Sequence, residues 1–178
     1  MSSLHNWPRS LWARSLWIRG GLTAVLMALA AGAALAQENG QVFQDWRVRC
    51  AEDPQNVAAG GCFIFQSVIH NESKQPVMQI AVGLLASDQT PAAVVTLPLG
   101  VRVAPGVLLQ IDENEAIRVP FERCLPDGCK VQFRLDEKQM AVFKAGVGGK
   151  LAFQDGQGRN VTLPFSLKGF TAAFAAIQ

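Results

Sequence analysis

From Trp46 onwards, apolar residues alternate with polar ones or occur in short blocks. Trp46, Val48 and Cys50 alternate with two arginines, as in a strand that buries one face. Similar segments follow, separated by breaks such as Pro-Gly, Asp-Gly and Gly-Gly. These segments are residues 63–68, 77–85, 93–97, 107–111, 116–121, 130–135, 151–153 and 161–165. Eight or nine short strands without helical crossovers between them predict an all-β sandwich or barrel.

Two segments follow a helical pattern instead. Residues 136–144 begin with acidic side chains, carry a lysine near their end and precede Gly146, which predicts a short helix. Phe170, Phe174 and Ile177 recur at helical spacing, which predicts a short C-terminal helix packed on the sheet. Because no internal repeat or linker interrupts the pattern, we expect one domain over residues 37–178.

The first 36 residues differ from the rest of the chain. Arg9, Arg14 and Arg19, with no acidic residue near them, precede an apolar run over residues 22–35 that ends in Ala-Leu-Ala. This order predicts a secretory signal peptide over residues 1–36, cleaved after Ala36. The run of about 14 apolar residues is shorter than the roughly 20 that a membrane-spanning helix needs. We therefore prefer a cleaved signal to an uncleaved anchor, and expect no transmembrane segment after cleavage.

Composition favours a folded domain that does not bind nucleic acid. Hydrophobic residues make up 49% of the chain and charged residues 17%, which is enough apolar material for a core. Loss of residues 1–36 removes three arginines and no acidic residue, and changes the net charge from +2 to −1. A nearly neutral chain without a basic cluster lacks the surface that would displace counterions from nucleic acid.

All four cysteines follow the predicted cleavage point, and an exported chain meets an oxidising compartment in which thiols pair. Cys50 and Cys62 flank a segment rich in Gly and Ala, while Cys124 and Cys129 flank the turn-forming sequence Leu-Pro-Asp-Gly. We expect these two local disulfides, with crossed pairings as the alternative. The spacings lack the C-x-x-C pairs of structural zinc sites and thioredoxin-like redox sites.

Few residues after position 36 are suited to catalysis. His70 is the only histidine there, and its neighbours Asn71, Glu72 and Ser73 indicate a polar turn. The segment Asp112-Glu113-Asn114-Glu115 lacks the spacing of a calcium loop, and the sequence around Lys150 lacks most of a phosphate-binding loop. We expect no catalytic residue, no metal site and no cofactor.

The order of the motifs along the chain resembles that of the invasion-associated locus B family, and four cysteines lie among the shared positions. The resemblance covers nearly all of the chain after the predicted signal peptide. The motifs are Trp46-Arg47-Val48-Arg49-Cys50, Cys62 with Gln66, Leu97-Pro98-Leu99-Gly100-Val101, Pro105-Gly106, Ile111-Asp112, Pro120-Phe121-Glu122-Arg123-Cys124, Gly128-Cys129 and Leu163-Pro164-Phe165-Ser166-Leu167-Lys168-Gly169-Phe170.

The resemblance implies a bacterial protein of the periplasm or cell envelope with an immunoglobulin-like β-sandwich fold. The family is linked by name to host-cell invasion, and it implies no catalytic residues. We therefore expect a non-enzymatic binding or structural module whose partner is an envelope or host protein, a peptide or a glycan. Its role would be in invasion or in the integrity of the envelope. The alternative is a periplasmic enzyme, a hydrolase, with an unconventional site.

Four arginines alternate with apolar residues in the second half of the chain. They are Arg102, Arg118, Arg123 and Arg134. If these side chains share one solvent-exposed face, their guanidinium groups form a surface for an anionic partner. The alternative is a scattered set of solvated side chains.

Overall fold

The structure, a computed structural model, describes residues 39–51 and 61–178, so the predicted signal peptide lies outside the described residues. Within these residues the chain forms eleven strands and two helices. The strands are β1 (Val42–Phe43), β2 (Trp46–Cys50), β3 (Cys62–Ile69), β4 (Pro76–Leu84), β5 (Pro91–Leu97), β6 (Val107–Ile111), β7 (Ile117–Val119), β8 (Arg123–Leu125), β9 (Gly128–Arg134), β10 (Gly148–Gln154) and β11 (Asn160–Ser166). The helices are α1 (Glu137–Ala145) and α2 (Phe170–Ala175).

The strands form two antiparallel sheets, which confirms the predicted all-β sandwich. The seven-stranded sheet has the order β1-β2-β3-β4-β5-β9-β8, and the four-stranded sheet has the order β11-β10-β6-β7. Register aligns buried residues across neighbouring strands, as in the pairs Val82 with Ala93 and Val95 with Val131. The inner faces of both sheets contribute to one hydrophobic core.

Both predicted helices are present and close this core. Asp136 caps α1 by accepting a hydrogen bond from the backbone N–H of Gln139 at 2.7 Å, and the Gln139 side chain accepts one from Asp136 N–H. The helix buries Met140 and Phe143 against the sheets. The residues of α1 thus follow the capping pattern that its sequence predicts.

Helix α2 begins at a position that only glycine can occupy. Gly169 has a φ of 86°, and a Cβ atom there would lie 2.1 Å from the carbonyl oxygen of Phe43. This turn directs Phe170 into the core, where its ring meets the Trp46 ring edge-to-face at 5.2 Å between centroids. The C-terminal helix therefore covers the part of the seven-stranded sheet that carries Trp46.

A buried glutamine joins the two sheets by hydrogen bonds. Gln66, on β3, accepts a bond from the Ser166 N–H at 2.8 Å through its Oε1 atom. Its Nε2 atom donates to the carbonyl oxygens of Asp45, at 3.0 Å, and Ser166, at 3.3 Å. The Trp46 indole also donates to the Ser166 carbonyl at 3.0 Å. These bonds satisfy backbone groups at the end of β11 that have no strand partner.

The outer edge of the four-stranded sheet is formed by β11, which contains a proline. The N–H and C=O of Ser166 face Gln66 and Trp46 instead of β10, and alternate residues of an antiparallel strand point the same way. The backbone nitrogen of Pro164 therefore also points away from β10, towards the open edge of the sheet. Because proline has no N–H, this edge position offers no donor to another strand. Proline at this position protects the sheet edge.

The bounds of several strands differ from the prediction. β1 and β8 were not predicted, and β7 is shorter than residues 116–121. β10 begins at Gly148 because Gly149 is a strand residue and not a break. A Cβ atom on Gly149 would lie 2.3 Å from the Phe165 ring, so glycine makes room for that ring.

Both disulfides join residues that lie directly opposite each other on neighbouring strands. Cys50 on β2 pairs with Cys62 on β3, and Cys124 on β8 pairs with Cys129 on β9. The structure thus has the local pairing expected from the spacing, and it leaves no free cysteine among the described residues.

Candidate functional site

The outer faces of the two sheets differ in chemistry. On the four-stranded sheet, the exposed or half-buried residues that point outward are mostly polar. They are Leu108, Gln110, Arg118, Lys150, Ala152, Gln154, Asn160, Thr162 and Pro164. This face has the composition of an ordinary solvated sheet surface.

The seven-stranded sheet carries apolar side chains on its outer face as well as its inner one. Phe63 and Phe65 point outward from β3, and their ring centroids are 6.3 Å apart. Phe65 is aligned with Ala81 on β4, which is aligned with Val94 on β5. These four residues are half-buried although no layer of the described chain covers them. We call Phe63, Phe65, Ala81 and Val94 the outer apolar strip.

Two exposed arginines border the outer apolar strip on β2. Arg47 is aligned with Phe65, and Arg49 is aligned with Phe63. The Arg49 guanidinium lies 5.0 Å from the centre of the Phe65 ring, within the range of a cation–π contact. Among residues 39–51 and 61–178, neither arginine forms an ion pair. The β2 border therefore presents two guanidinium groups beside half-buried aromatic rings.

The opposite border is also basic, but its charges are balanced locally. Arg134 forms an ion pair with Asp88 at 2.6 Å, and Lys130 forms one with Asp127 at 2.8 Å. The hydrogen bond from Arg134 lowers the pKa of Asp88 from 3.8 to about 2, with help from the Thr90 N–H. The Lys130 ammonium likewise lowers the pKa of Asp127. Among the described residues, Arg47 and Arg49 are therefore the arginines of this sheet that form no ion pair.

The four arginines considered as a possible shared surface do not all lie on one face. Arg123 and Arg134 point outward from the seven-stranded sheet, where Arg123 pairs with Glu122. Arg118 lies on β7 in the four-stranded sheet, and its guanidinium donates to the carbonyl of Pro105. Alternation along a strand shows which residues share a side of that strand, but not which sheet the strand joins.

Arg102 lies outside the named strands. It follows the isolated bridge between Val101 and Asp155, and its backbone N–H donates to the carbonyl of Gln154 at 2.9 Å. Its guanidinium is next to Gly158, in the turn after β10. The structure therefore favours the alternative of scattered arginines, and the two arginines of the β2 border were assigned by the sequence only to a strand.

His70 lies in the polar turn after β3, as expected. Its Nδ1 atom is 3.2 Å from the Ser73 hydroxyl and 3.3 Å from the Ser73 backbone nitrogen. The contact spans three residues of one exposed turn, and no carboxylate among the described residues hydrogen-bonds to the imidazole. Neither residue lines any of four surface cavities of about 340–510 Å³ found among the described residues. The geometry is that of a turn.

The acidic turn at residues 112–115 has a structural role through its first residue. Asp112 accepts hydrogen bonds from the N–H groups of Val147 and Gly148, each at 2.9 Å, and so ties β6 to the start of β10. Lys150 points outward from the middle of β10 and is not part of a loop. In the described ranges, no group of three or more His, Cys, Asp or Glu side chains is placed to hold a metal ion.

Within the described residues, no helix has both the length and the hydropathy needed to cross a membrane. Both helices of the sandwich are short, with nine and six residues.

The comparisons with known proteins agree with the motif order. The family model described as Invasion associated locus B (IalB) protein matches residues 46–178. The chain is 30% identical over 158 residues to an invasion protein B homolog of Brucella abortus (strain 2308), and this covers 88% of the chain and 87% of the relative. A homolog from Brucella abortus biovar 1 (strain 9-941) has the same identity and coverage.

A solved structure is also similar to this one. The crystal structure of invasion associated protein B from Bartonella henselae superimposes with a TM-score of 0.64 at 28% sequence identity. The match covers 75% of this chain and 91% of the other. The similarity thus extends over nearly all of that chain.

Proposed function

Because the chain belongs to the invasion-associated locus B family, we propose that it is an exported, non-enzymatic binding module of the bacterial cell envelope. Its binding surface is the outer apolar strip with Arg47 and Arg49, and its partner is a protein segment that carries both acidic and apolar side chains. Relatives are named as invasion proteins, so the process served is host-cell invasion or the envelope functions on which invasion depends.

The outer apolar strip is the observation that carries this proposal. Aromatic residues and arginine are enriched at protein interfaces, where the rings exclude water and the guanidinium forks bind carboxylates. Phe63 and Phe65 supply the rings, and Arg47 and Arg49 supply the forks on the neighbouring strand. A partner segment that carries leucine-like and glutamate-like side chains can contact the rings with the former and the guanidinium groups with the latter.

Export is supported by the leader and the cysteines. Residues 1–36 have the order of a secretory signal, and both disulfides of the sandwich need an oxidising compartment. The periplasm or the outer cell envelope meets this need in a bacterium. Intact-mass analysis of the exported protein should show Gln37 as its first residue.

The binding surface can be tested in cells by photo-crosslinking. A photo-reactive phenylalanine analogue in place of Phe65 should join the protein to a discrete partner, because this position lies at the centre of the surface. The same analogue in place of Thr162, on the outer face of the four-stranded sheet, is the matched control. The double substitution Arg47→Glu/Arg49→Glu should abolish the product at position 65, since charge reversal repels an acidic segment.

A second measurement tests the chemistry of the partner. Synthetic peptides in which leucine alternates with glutamate, lysine or serine are titrated into the purified protein and followed by fluorescence anisotropy. The glutamate peptide should bind, more weakly as salt rises, and Arg47→Glu/Arg49→Glu should weaken it at least about 10-fold. Lys150→Glu on the other sheet should leave the affinity unchanged. Equal binding of all three peptides, or no effect of the double substitution, would contradict the proposal.

The proposal also gives His70 no catalytic role. The substitution His70→Ala should complement a strain that lacks the gene, because removal of a solvated turn residue changes stability by no more than about 0.5 kcal/mol. Loss of a catalytic base would instead lower a rate by about 10² to 10⁴. A variant that fails to complement at normal abundance and thermal stability would favour the hydrolase alternative.

A further inference from the structure

A cavity lies beside the four-stranded sheet, whereas the proposed binding surface is on the seven-stranded sheet. From its lining we infer that this cavity binds a free apolar amino acid such as leucine. The cavity has a volume of about 370 Å³ and lies between α1 and the β6–β7 end of the four-stranded sheet. This volume is within the range of small-molecule sites, about 300–1,000 Å³.

The floor of the cavity is apolar. β6 contributes Leu109 and Ile111, β7 contributes Ile117, and α1 contributes Val142 and Phe143. The cavity stays open because β7 has three residues and forms the edge of its sheet, so no further strand covers the space beside α1. Such a floor can bury a branched aliphatic side chain such as that of leucine, which is favourable because it removes apolar surface from water.

Five polar residues surround the opening, and three of them already have partners within the chain. Asn114 donates from its side-chain amide to the Ile111 carbonyl at 3.0 Å. Asp136 and Gln139 bond to each other's backbone N–H groups in the capping box of α1. These three side chains shape the opening and hold its two walls in place.

Glu115 and Lys138 are the remaining two residues of the opening. Both are exposed, and neither forms a side-chain hydrogen bond or an ion pair with any residue the structure describes. The Glu115 carboxylate and the Lys138 ammonium, at the mouth of an apolar cavity, suit a ligand that carries an ammonium, a carboxylate and an apolar side chain. An amino acid provides an ammonium for Glu115, a carboxylate for Lys138 and an apolar side chain for the floor.

A ligand series tests this inference without any substitution. L-leucine, leucinamide, 4-methylpentanoate and L-serine are titrated into the purified protein by isothermal titration calorimetry. Leucine should bind saturably. Leucinamide lacks the carboxylate and 4-methylpentanoate lacks the ammonium, so each should bind about 2- to 5-fold more weakly, as expected for an exposed ion pair. Serine should bind at least about 10-fold more weakly because it has no apolar side chain.

Substitutions then assign each end of the ligand to a residue. Glu115→Gln should remove the advantage of leucine over 4-methylpentanoate, and Lys138→Gln should remove its advantage over leucinamide. Glu113→Gln and Lys168→Gln change the same residue types outside the cavity and should change nothing. Val142→Trp should fill the cavity and abolish binding, with thermal unfolding measured to show that the variant is folded.

Two outcomes overturn the inference. The first is the absence of saturable leucine binding to the unsubstituted protein, or equal affinities for leucine, leucinamide and 4-methylpentanoate. The second is leucine binding that persists in a folded Val142→Trp variant. Because the ligand series uses the unsubstituted protein, the inference can fail even if no variant folds. It can also fail independently of the proposed binding surface, which lies on the other sheet.

Discussion

Replacement of Gln66 by leucine should destabilise the sandwich although leucine fits a core position well. The glutamine amide connects β3 to the end of β11 and to the carbonyl of Asp45. Leucine has a similar size but neither donates nor accepts a hydrogen bond. The substitution therefore removes the polar link between the sheets with little change in packing.

The expected magnitude follows from what each backbone group loses. The Ser166 carbonyl keeps its bond from the Trp46 indole, and the exposed residue Asp45 can exchange its lost bond for water. The Ser166 N–H loses the acceptor that lies 2.8 Å away, in a partly buried position. An unsatisfied buried donor costs about 1–3 kcal/mol, and each lost net hydrogen bond about 0.5–1.5 kcal/mol. We expect the free energy of unfolding to fall by about 2–3 kcal/mol.

Urea unfolding monitored by tryptophan fluorescence measures this loss. Gln79→Leu is the matched control, because Gln79 lies on the outer side of β4 and makes only an exposed side-chain bond of 3.4 Å to Ser67. Its effect should stay within about 0.5 kcal/mol. Amide hydrogen exchange should show faster exchange of the Ser166 N–H in Gln66→Leu alone. If the two variants have equal stability, the link through Gln66 does not stabilise the fold as argued.

Two further changes probe the disulfide and the ion pairs. The double substitution Cys124→Ser/Cys129→Ser should lower the free energy of unfolding by about 2 kcal/mol, because it restores entropy to a short loop of the unfolded chain. Denaturant titration measures this, and a parent peptide map that joins Cys124 to a different cysteine would refute the pairing. The lowered pKa of Asp88 stabilises the fold above its unfolded value of 3.8, and this contribution is lost as pH falls towards about 2. In acid titrations, the free energy of unfolding of Asp88→Asn should therefore fall less between pH 5 and pH 2 than that of the parent. Parallel curves of unfolding free energy against pH would show that the pair with Arg134 contributes nothing.

Period-two alternation predicted most strands because each has one side in the core. It failed where a strand is too short or too exposed to alternate. Val42–Phe43 has two residues, and all three residues of Arg123–Leu125 are exposed. Gly149 was interpreted as a break because the space it leaves for the Phe165 ring depends on a partner strand that local sequence does not identify.

The candidate site was harder to predict than the fold. The sequence showed Arg47 and Arg49 alternating with core residues, but the apolar rings beside them come from β3, after the first disulfide loop. Phe63 and Phe65 were predicted only as part of a strand over residues 63–68, because one sequence cannot show that both sides of a strand are apolar while only one side is covered. The surface depends on which strands become neighbours, and the cavity beside α1 depends on where β7 ends.

The position of α2 at the end of the chain affects when the protein can fold during synthesis. Trp46, near the start of the sandwich, is covered by Phe170, and Phe174 packs in parallel with Phe170 at 5.9 Å. A ribosome adds about 5–20 residues per second, so the first strands are made several seconds before the helix that covers them. Until α2 has been made, Trp46 lacks the ring that covers it and the core is incomplete. This delay is compatible with the proposed export, because a chain that has not yet folded can still be threaded across a membrane.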